Sequence, residues 1–222
     1  MKILYEDANI VAVAKPAGLI THSDGRTKEE TAENWFKKTY PENTGGYVHR
    51  LDRDTSGVLV FAKNVIAYEF MRKAFHDRDI KKTYLAVVYG VPKEKVGVID
   101  FDIGRSRQDF RLRSAQPKAK GRLRDALTRY EVIGEVEGYS LMKLTPETGR
   151  THQIRVHLKA IHHPIVCDPL YAPNHKPALG IERLALHAST LDIPLPSGGR
   201  TIIEAPIPED MSVALAHFSR AC

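Results

Sequence analysis

The sequence predicts an α+β fold built on a large, mixed but mostly antiparallel sheet flanked by helices and loops. Three observations carry that reading. Short β-prone runs follow one another without an intervening helix, as at "ALTRYEVIGEV" and "YSLMKLTPE" around Gly138. One continuous apolar run, "GVLVFAK" from Gly57 to Lys63, has the character of a strand buried on both faces. Helix-forming stretches are few and scattered between the strands. With no internal repeat and no linker, residues 1–222 read as one domain, a length that supports a sizeable core.

Taken in order, "ILYED" and "NIVAVAK" are short strands on either side of a turn at Asp7–Asn9. "KPAGLITHSDG" is punctuated by Pro and Gly and reads as an ordered loop. "TKEETAENWFKKTY" predicts a helix, with Thr27 and Glu30 as a capping box. After the apolar run, "VIAYEFMRKAFHDR" predicts a second helix, uninterrupted by Pro or Gly. "KKTYLAVVYG" is a strand by its β-branched and aromatic content. "RTHQIRVHLKAI" places Ile154, Leu158 and Ile161 on one helix face, with Thr151 as a candidate cap. "RLALHASTLDI" and "RTIIEAP" are final strands, and "EDMSVALAHFSR" a final helix.

Composition excludes several classes. Hydrophobic content of 42% with 27% charged residues fits a folded soluble protein. No stretch approaches the roughly 18 apolar residues needed to cross a bilayer, and the acids of the first residues do not suit a signal peptide. Cys167 and Cys222 are too few for a disulfide scaffold and lack Cys-x-x-Cys spacing, so a reducing, cytoplasmic setting is expected. His152, His157, His162 and His163 raise the question of a metal. His152 and His157 lie five apart, however, and no Cys or acid stands at ligand spacing, so no metal is expected. Neither a Walker A pattern nor G-x-G-x-x-G occurs, which removes the usual support for nucleotide hydrolysis or hydride transfer.

Two segments concentrate charge. From Tyr47, "YVHRLDRDTSG" sets Asp52 between Arg50 and Arg53 at the mouth of the apolar strand. Neighbouring guanidinium groups favour an ionised carboxylate, a competent nucleophile or electrostatic stabiliser on a rigid mount. A salt-bridged acid at a strand entrance is the plainer alternative. From Arg105 to Arg124, "RSRQDFRLRSAQPKAKGRLR" carries six Arg and two Lys against one acid, a net +7 where the whole chain has +6. Arg105, Arg107, Arg111, Arg113, Lys118, Lys120, Arg122 and Arg124 are candidates for nucleic-acid contact, because guanidinium groups fork onto phosphates and stack on bases. A solvated loop is the alternative. In "TGRTHQIRVH", Gln153, Arg155 and His157 project from the turns of the expected helix, or else hold element ends together.

At "HRLDRDTSG" the chain resembles the RluA-type pseudouridine synthases, whose signature is His-Arg-Leu-Asp followed by Thr-Ser-Gly. The resemblance extends through "ILYEDANIVAVAKPAGL", "KKTYLAVVYG", "TGRTHQIRVH", "HPIVCDPLYA", "RLALHASTLDIPLP" and "IIEAPIPEDM", in family order. It implies a pseudouridine synthase catalytic domain in which Asp52 is the nucleophile of uridine isomerisation. Arg50 would fill the space left by the flipped nucleotide, Tyr84 would stack on the target base and assist proton removal from C5, and Arg155 would pair with Asp52. His49 and Gln153 accompany these as substrate-side candidates, His49 with bracing of the loop as its alternative. No cofactor is implied. RNA, ribosomal before transfer, is the implied partner, with no membrane, no obligate protein partner and a monomeric state expected.

The resemblance also brings two departures. Cys167 stands before Asp168 where the family often has Gly, which implies a small packing change. Many relatives carry an N-terminal S4 RNA-binding domain, whereas this sequence opens on the catalytic motifs, so RNA contact is expected from the basic run. An idle RNA-binding factor and a glycosidase are the competing readings. The intact Asp52, Arg50, Tyr84 and Arg155 set argues against the first, and the absence of a second catalytic acid against the other.

Overall fold

The most apolar runs of the chain form the middle of its first sheet. In a computed structural model, residues 1–23, 29–107, 109, 112–115 and 119–219 are described. Strand β1 (Lys2–Glu6) pairs antiparallel with β2 (Ile10–Lys15), and β2 pairs antiparallel with β4 (Ser56–Ala62). Every residue of β4 is buried, as a strand covered on both faces requires. On one face helix α2 (Val65–His76) sets Ala67, Met71 and Ala74 against Ile10, Ala12, Val58 and Val60. On the other, Phe36 of helix α1 (Ala32–Thr39) stacks on Phe61 with centroids 4.6 Å apart. The two-residue β3 (Gly46–Tyr47) adds to the far end of β4.

The chain divides into two compact units: residues 1–82 with 187–207, and residues 83–186 with 208–219 of the described chain. The first unit is completed by β12 (Leu186–Pro194), parallel to β4 at His187–Ser56 and Ala188–Gly57, and by β13 (Arg200–Glu204), antiparallel to β12. Gly57 is required there. Its φ is +127°, and an added Cβ would overlap the carbonyl of Ala188.

The second unit contains β5 (Lys81–Tyr89) from Thr83 onward, β6 (Val96–Asp100), β10 (Leu127–Val136) and β11 (Tyr139–Pro146). These pair antiparallel in the order β5-β11-β10-β6. The β10–β11 hairpin turns on Glu137 (φ +48°) and Gly138 (φ +80°), the left-handed pair that a tight hairpin wants. A separate three-stranded antiparallel sheet holds β7 (Ile103–Ser106) between β8 (Arg113–Ala115) and β9 (Ala119–Arg124). Its Ile103 and Ala115 pack with Val156 of helix α3 (Gln153–Ala160) and with Tyr171. Helix α4 (Glu209–Ser219) is tied by a forked Arg183–Asp210 pair. The class is therefore α+β with mostly antiparallel sheets, as expected.

Three local expectations change. Thr27 lies outside the described residues, and α1 is capped by Thr31, whose hydroxyl accepts from the Asn34 N–H at 3.0 Å. Thr151 does not cap α3. The cap position is His152, in left-handed conformation (φ +58°) and without a side-chain cap bond. The basic run is not a featureless loop, since β7, β8 and β9 take most of its described residues. Among the described residues no helix is long and apolar enough to cross a membrane.

Gly57→Ala tests the close approach of β4 and β12. A Cβ overlapping a backbone carbonyl, in a conformation strained for any L side chain, is expected to cost about 3 kcal/mol. For a chain of this size that lowers Tm by roughly 6–12 °C, readable by calorimetry.

Candidate active site

Asp52 sits half-buried between the Val48–Leu51 segment and β4. It opens a turn closed by the Thr55 N–H donating to the Asp52 carbonyl at 3.2 Å. The turn is pinned from several sides. Lys15, 1% exposed at the end of β2, donates to the carbonyls of Pro16 (2.9 Å), Leu19 (2.7 Å) and Arg53 (2.9 Å). Thr21 accepts from the Leu51 N–H and donates to the Leu51 carbonyl, at 3.2 and 2.9 Å. Beyond the turn, Ser56 bonds His187 Nδ1 at 2.9 Å. Lys15 and Thr21 were not singled out by sequence reading; the signal available was a lysine closing an otherwise apolar strand.

His49 braces this segment. Its Nε2 accepts from the Val60 N–H at 3.1 Å, and its ring stacks on Phe75 with centroids 4.7 Å apart. Burial, with the positive charge of Lys82 adding to it, pushes the imidazole pKa down to about 3. The neutral ring is thus engaged by β4 and α2, the arrangement that the bracing alternative calls for. Lys82 is itself lowered to about 8 by burial and then by Arg78. Arg50 is exposed, free of the packing that holds its neighbours. Arg53 forks onto Glu29 at 2.7 and 3.2 Å, a surface pair that accounts for a residue the sequence left without a role.

In the second unit, Tyr84 lies half-buried on β5 opposite Leu144. Arg155 of α3, expected from sequence to pair with Asp52, is 3% exposed and forks onto a different acid, the fully buried Asp168: Nε to Oδ2 and Nη2 to Oδ1, both 2.8 Å. Asp168 Oδ1 also accepts from the N–H groups of Leu170 (2.9 Å) and Tyr171 (3.0 Å). The Arg155 guanidinium stands 5.1 Å from the centre of the Tyr171 ring. Asp168 and Tyr171 belong to the "HPIVCDPLYA" segment, where sequence reading weighed only Cys167. That residue adopts φ +55°, a backbone suited to glycine and strained for cysteine by roughly 1–2 kcal/mol.

Gln153 corrects a second expectation. It is 4% exposed, and its amide is filled by protein. Oε1 accepts from the Thr148 hydroxyl (2.7 Å) and the Arg150 N–H (3.0 Å). Nε2 donates to the Leu127 carbonyl and to Thr128 Oγ1, both 3.0 Å. Four bonds exhaust a carboxamide, so Gln153 ties the start of α3 to β10 and to the loop after β11 and leaves no polar atom of its amide for substrate. His157 continues the network, with Nδ1 on the Thr128 hydroxyl (2.9 Å) and Nε2 on the Phe101 carbonyl (3.0 Å).

The basic run becomes a cationic sheet. Arg105 on β7 stands directly opposite Arg113 on β8 and Lys120 on β9. Arg105, Arg107, Arg122 and Arg124 are exposed. Arg111 and Lys118 lie outside the described residues. Among the described residues no group of His, Cys, Asp and Glu could hold a metal ion.

The His49 environment gives a pH prediction. Its unfolded imidazole takes up a proton below about 6.5 and the folded one only near 3, so stability is lost as pH falls through that window. Between pH 7 and pH 4 the wild type is expected to lose on the order of 3 kcal/mol more than His49→Gln, measured by denaturant unfolding. Parallel pH curves for the two proteins would show that the ring titrates normally.

The sequence pattern of the RNA pseudouridylate synthase family matches residues 9–160. The ribosomal large subunit pseudouridine synthase D of Nitrosomonas europaea is 38% identical over 97% of this chain and 64% of its own length. An RNA pseudouridine synthase of Synechocystis is 34% identical over 99% of this chain and 67% of its own. The chain thus spans about two thirds of the length of these relatives. The solved human RNA pseudouridylate synthase domain containing 4 superposes with a TM-score of 0.79 at 26% identity, covering 98% of this chain and 93% of that one. With its HRLDRDTSG signature in place on the Asp52 turn, the chain belongs to the RNA pseudouridylate synthase family, in its RluA-type branch.

Proposed function

We propose that the chain, as one catalytic domain, isomerises uridine to pseudouridine in structured RNA, ribosomal RNA before transfer RNA. The observation that carries the reading is the half-buried Asp52 turn, whose backbone is fixed by Lys15 on the Arg53 carbonyl, Thr21 on Leu51 and the Thr55 N–H on the Asp52 carbonyl, with exposed Arg50 two residues before the acid. The reaction breaks the C1′–N1 bond, turns the uracil, forms C1′–C5 and moves a proton from C5 to N1. Asp52 acts as nucleophile. An ionised carboxylate stabilises or bonds to an electron-poor centre, as acids do in glycoside hydrolysis. The target base must first leave its stack, at a cost of a few kcal/mol. Arg50, unencumbered and exposed, replaces the base in the helix. The Tyr84 ring stacks on the uracil, and its hydroxyl serves proton removal from C5. Arg155 supplies fixed positive charge.

The cationic sheet is the RNA-binding surface. Like charges directly opposite one another weaken a sheet, so Arg113 and Arg105, paired across the strands, suit a polyanion that neutralises them. Phosphate contact of this kind gives affinity without reading sequence, which fits recognition of RNA by shape. The name of the Nitrosomonas relative favours ribosomal RNA of the large subunit.

Mapping pseudouridines in a large-subunit ribosomal RNA transcript incubated with the protein tests the activity. Asp52→Asn is expected to lower formation at least ~100-fold with RNA affinity kept. Full turnover by that variant would remove the nucleophile role. Tyr84→Phe is expected to slow turnover while binding is retained, and a wild-type rate would dispense with the hydroxyl. Reversing Arg105, Arg107, Arg122 and Arg124 to Glu is expected to weaken RNA binding and to flatten the log–log salt slope by about 3. An unchanged slope would dismiss the sheet as the RNA surface.

A further inference from the structure

Tyr171 is 4% exposed and packs among Ile103, Ala115 and Val156, where a phenylalanine would fill the same space. Its hydroxyl is therefore the feature to explain. The phenol oxygen accepts from the Arg113 N–H on β8 at 2.9 Å. Since β8 is an edge strand of the cationic sheet, that N–H would otherwise be unanswered by a ladder. The phenol proton is left for His152 Nδ1, 2.9 Å away. His152 is the left-handed cap of α3, three residues before Arg155. The same tyrosine presents its ring to the Arg155 guanidinium at 5.1 Å, and its N–H binds the Asp168 oxygen that holds Arg155 Nη2. One side chain thus joins the backbone of the cationic sheet to the cap and to the face of Arg155, and the same residue's N–H holds the counter-ion.

We propose that Tyr171 is a positioning residue whose hydroxyl couples RNA seated on the three-stranded sheet to the orientation of Arg155. Phosphates drawn to Arg105, Arg122 and Arg124 settle the sheet. The Arg113 N–H carries that position to the phenol, and the phenol carries it through His152 to the start of α3. This rests on the sheet being the RNA surface.

A double-mutant cycle tests it, with the full chain and an unmodified large-subunit ribosomal RNA transcript as probe. Tyr171→Phe is combined with the Arg105, Arg107, Arg122 and Arg124 reversal, and single-turnover rates are taken at RNA concentrations saturating each protein. Tyr171→Phe alone is expected to leave RNA affinity within about twofold and to lower the rate at least ~10-fold. In the charge-reversed background the same substitution is expected to lower it less than ~3-fold, because a sheet that no longer seats RNA has nothing to transmit. His152→Ala cuts the link from its other end and is expected to reproduce the pattern should Tyr171→Phe fold poorly. Equal losses in both backgrounds would overturn the coupling and leave a local support for Arg155. A wild-type rate for Tyr171→Phe, or a loss confined to affinity, would overturn it as well. Failure of the RNA-surface reading is separately visible, as wild-type affinity and salt slope in the charge-reversed protein that keeps Tyr171.

Discussion

A cation taken out of water has to be answered at its donors, and in both units the functional residues are built around one that is. Lys15 gives up hydration at the end of β2 and recovers bonds to three carbonyls, one of them that of Arg53 in the Asp52 turn. Arg155 does the same on α3 with the two oxygens of Asp168. The effective desolvation penalty is several kcal/mol for each ion, and breaking such a pair on one side costs about 3–5 kcal/mol. Geometry that expensive to disturb is suited to chemistry that tolerates little displacement. The Asp52 turn and Arg155 inherit their rigidity from these contacts rather than from the strands and helix that carry them.

The polar network around Gln153 extends the same logic without charge. Its direction can be assigned from donors alone. The Leu127 N–H donates to Thr148, Thr148 to Gln153 Oε1, Gln153 Nε2 to Thr128, and Thr128 to His157 Nδ1, which leaves the Nε2 proton for the Phe101 carbonyl. Burial lowers the His157 pKa, which favours the neutral tautomer that the chain of donors requires. A network satisfied at every member specifies one arrangement of α3 against β10, where a half-satisfied one would specify none.

What could be read from sequence follows from how local the signal is. β2 and β4 were legible because two-sided burial leaves an unbroken apolar run, and the β10–β11 turn because Gly138 announces it. The cap of α1 moved from Thr27 to Thr31 since both threonines precede a helix-forming stretch, and the choice depends on which N–H groups are orphaned by folding. β7, β8 and β9 were hidden by charge. A strand with arginine at alternate positions looks polar, and its stabilising contacts, through Ile103 and Ala115 to α3, are far away in sequence. For the candidate site, the signature pointed to Asp52 and Arg50. It did not show that His49 and Gln153 are spent on bracing, because a residue's neighbours in a motif say nothing about where its hydrogen bonds go. Asp168 was passed over beside Cys167 for the same reason.

Cys167 shows how a departure from family pattern can be absorbed. The left-handed backbone there (φ +55°) is the one glycine adopts freely. It sets the turn from which the Asp168 carboxylate enters the interior. Cysteine bears the strain and returns a weak bond from its thiol to the Ile181 carbonyl at 3.1 Å. The strain is small beside the Arg155–Asp168 pair that the same turn secures, so the pair dictates the backbone and the side chain at position 167 accommodates it. A short, strained turn behind a buried ion pair is stable because the ion pair leaves the chain no other route.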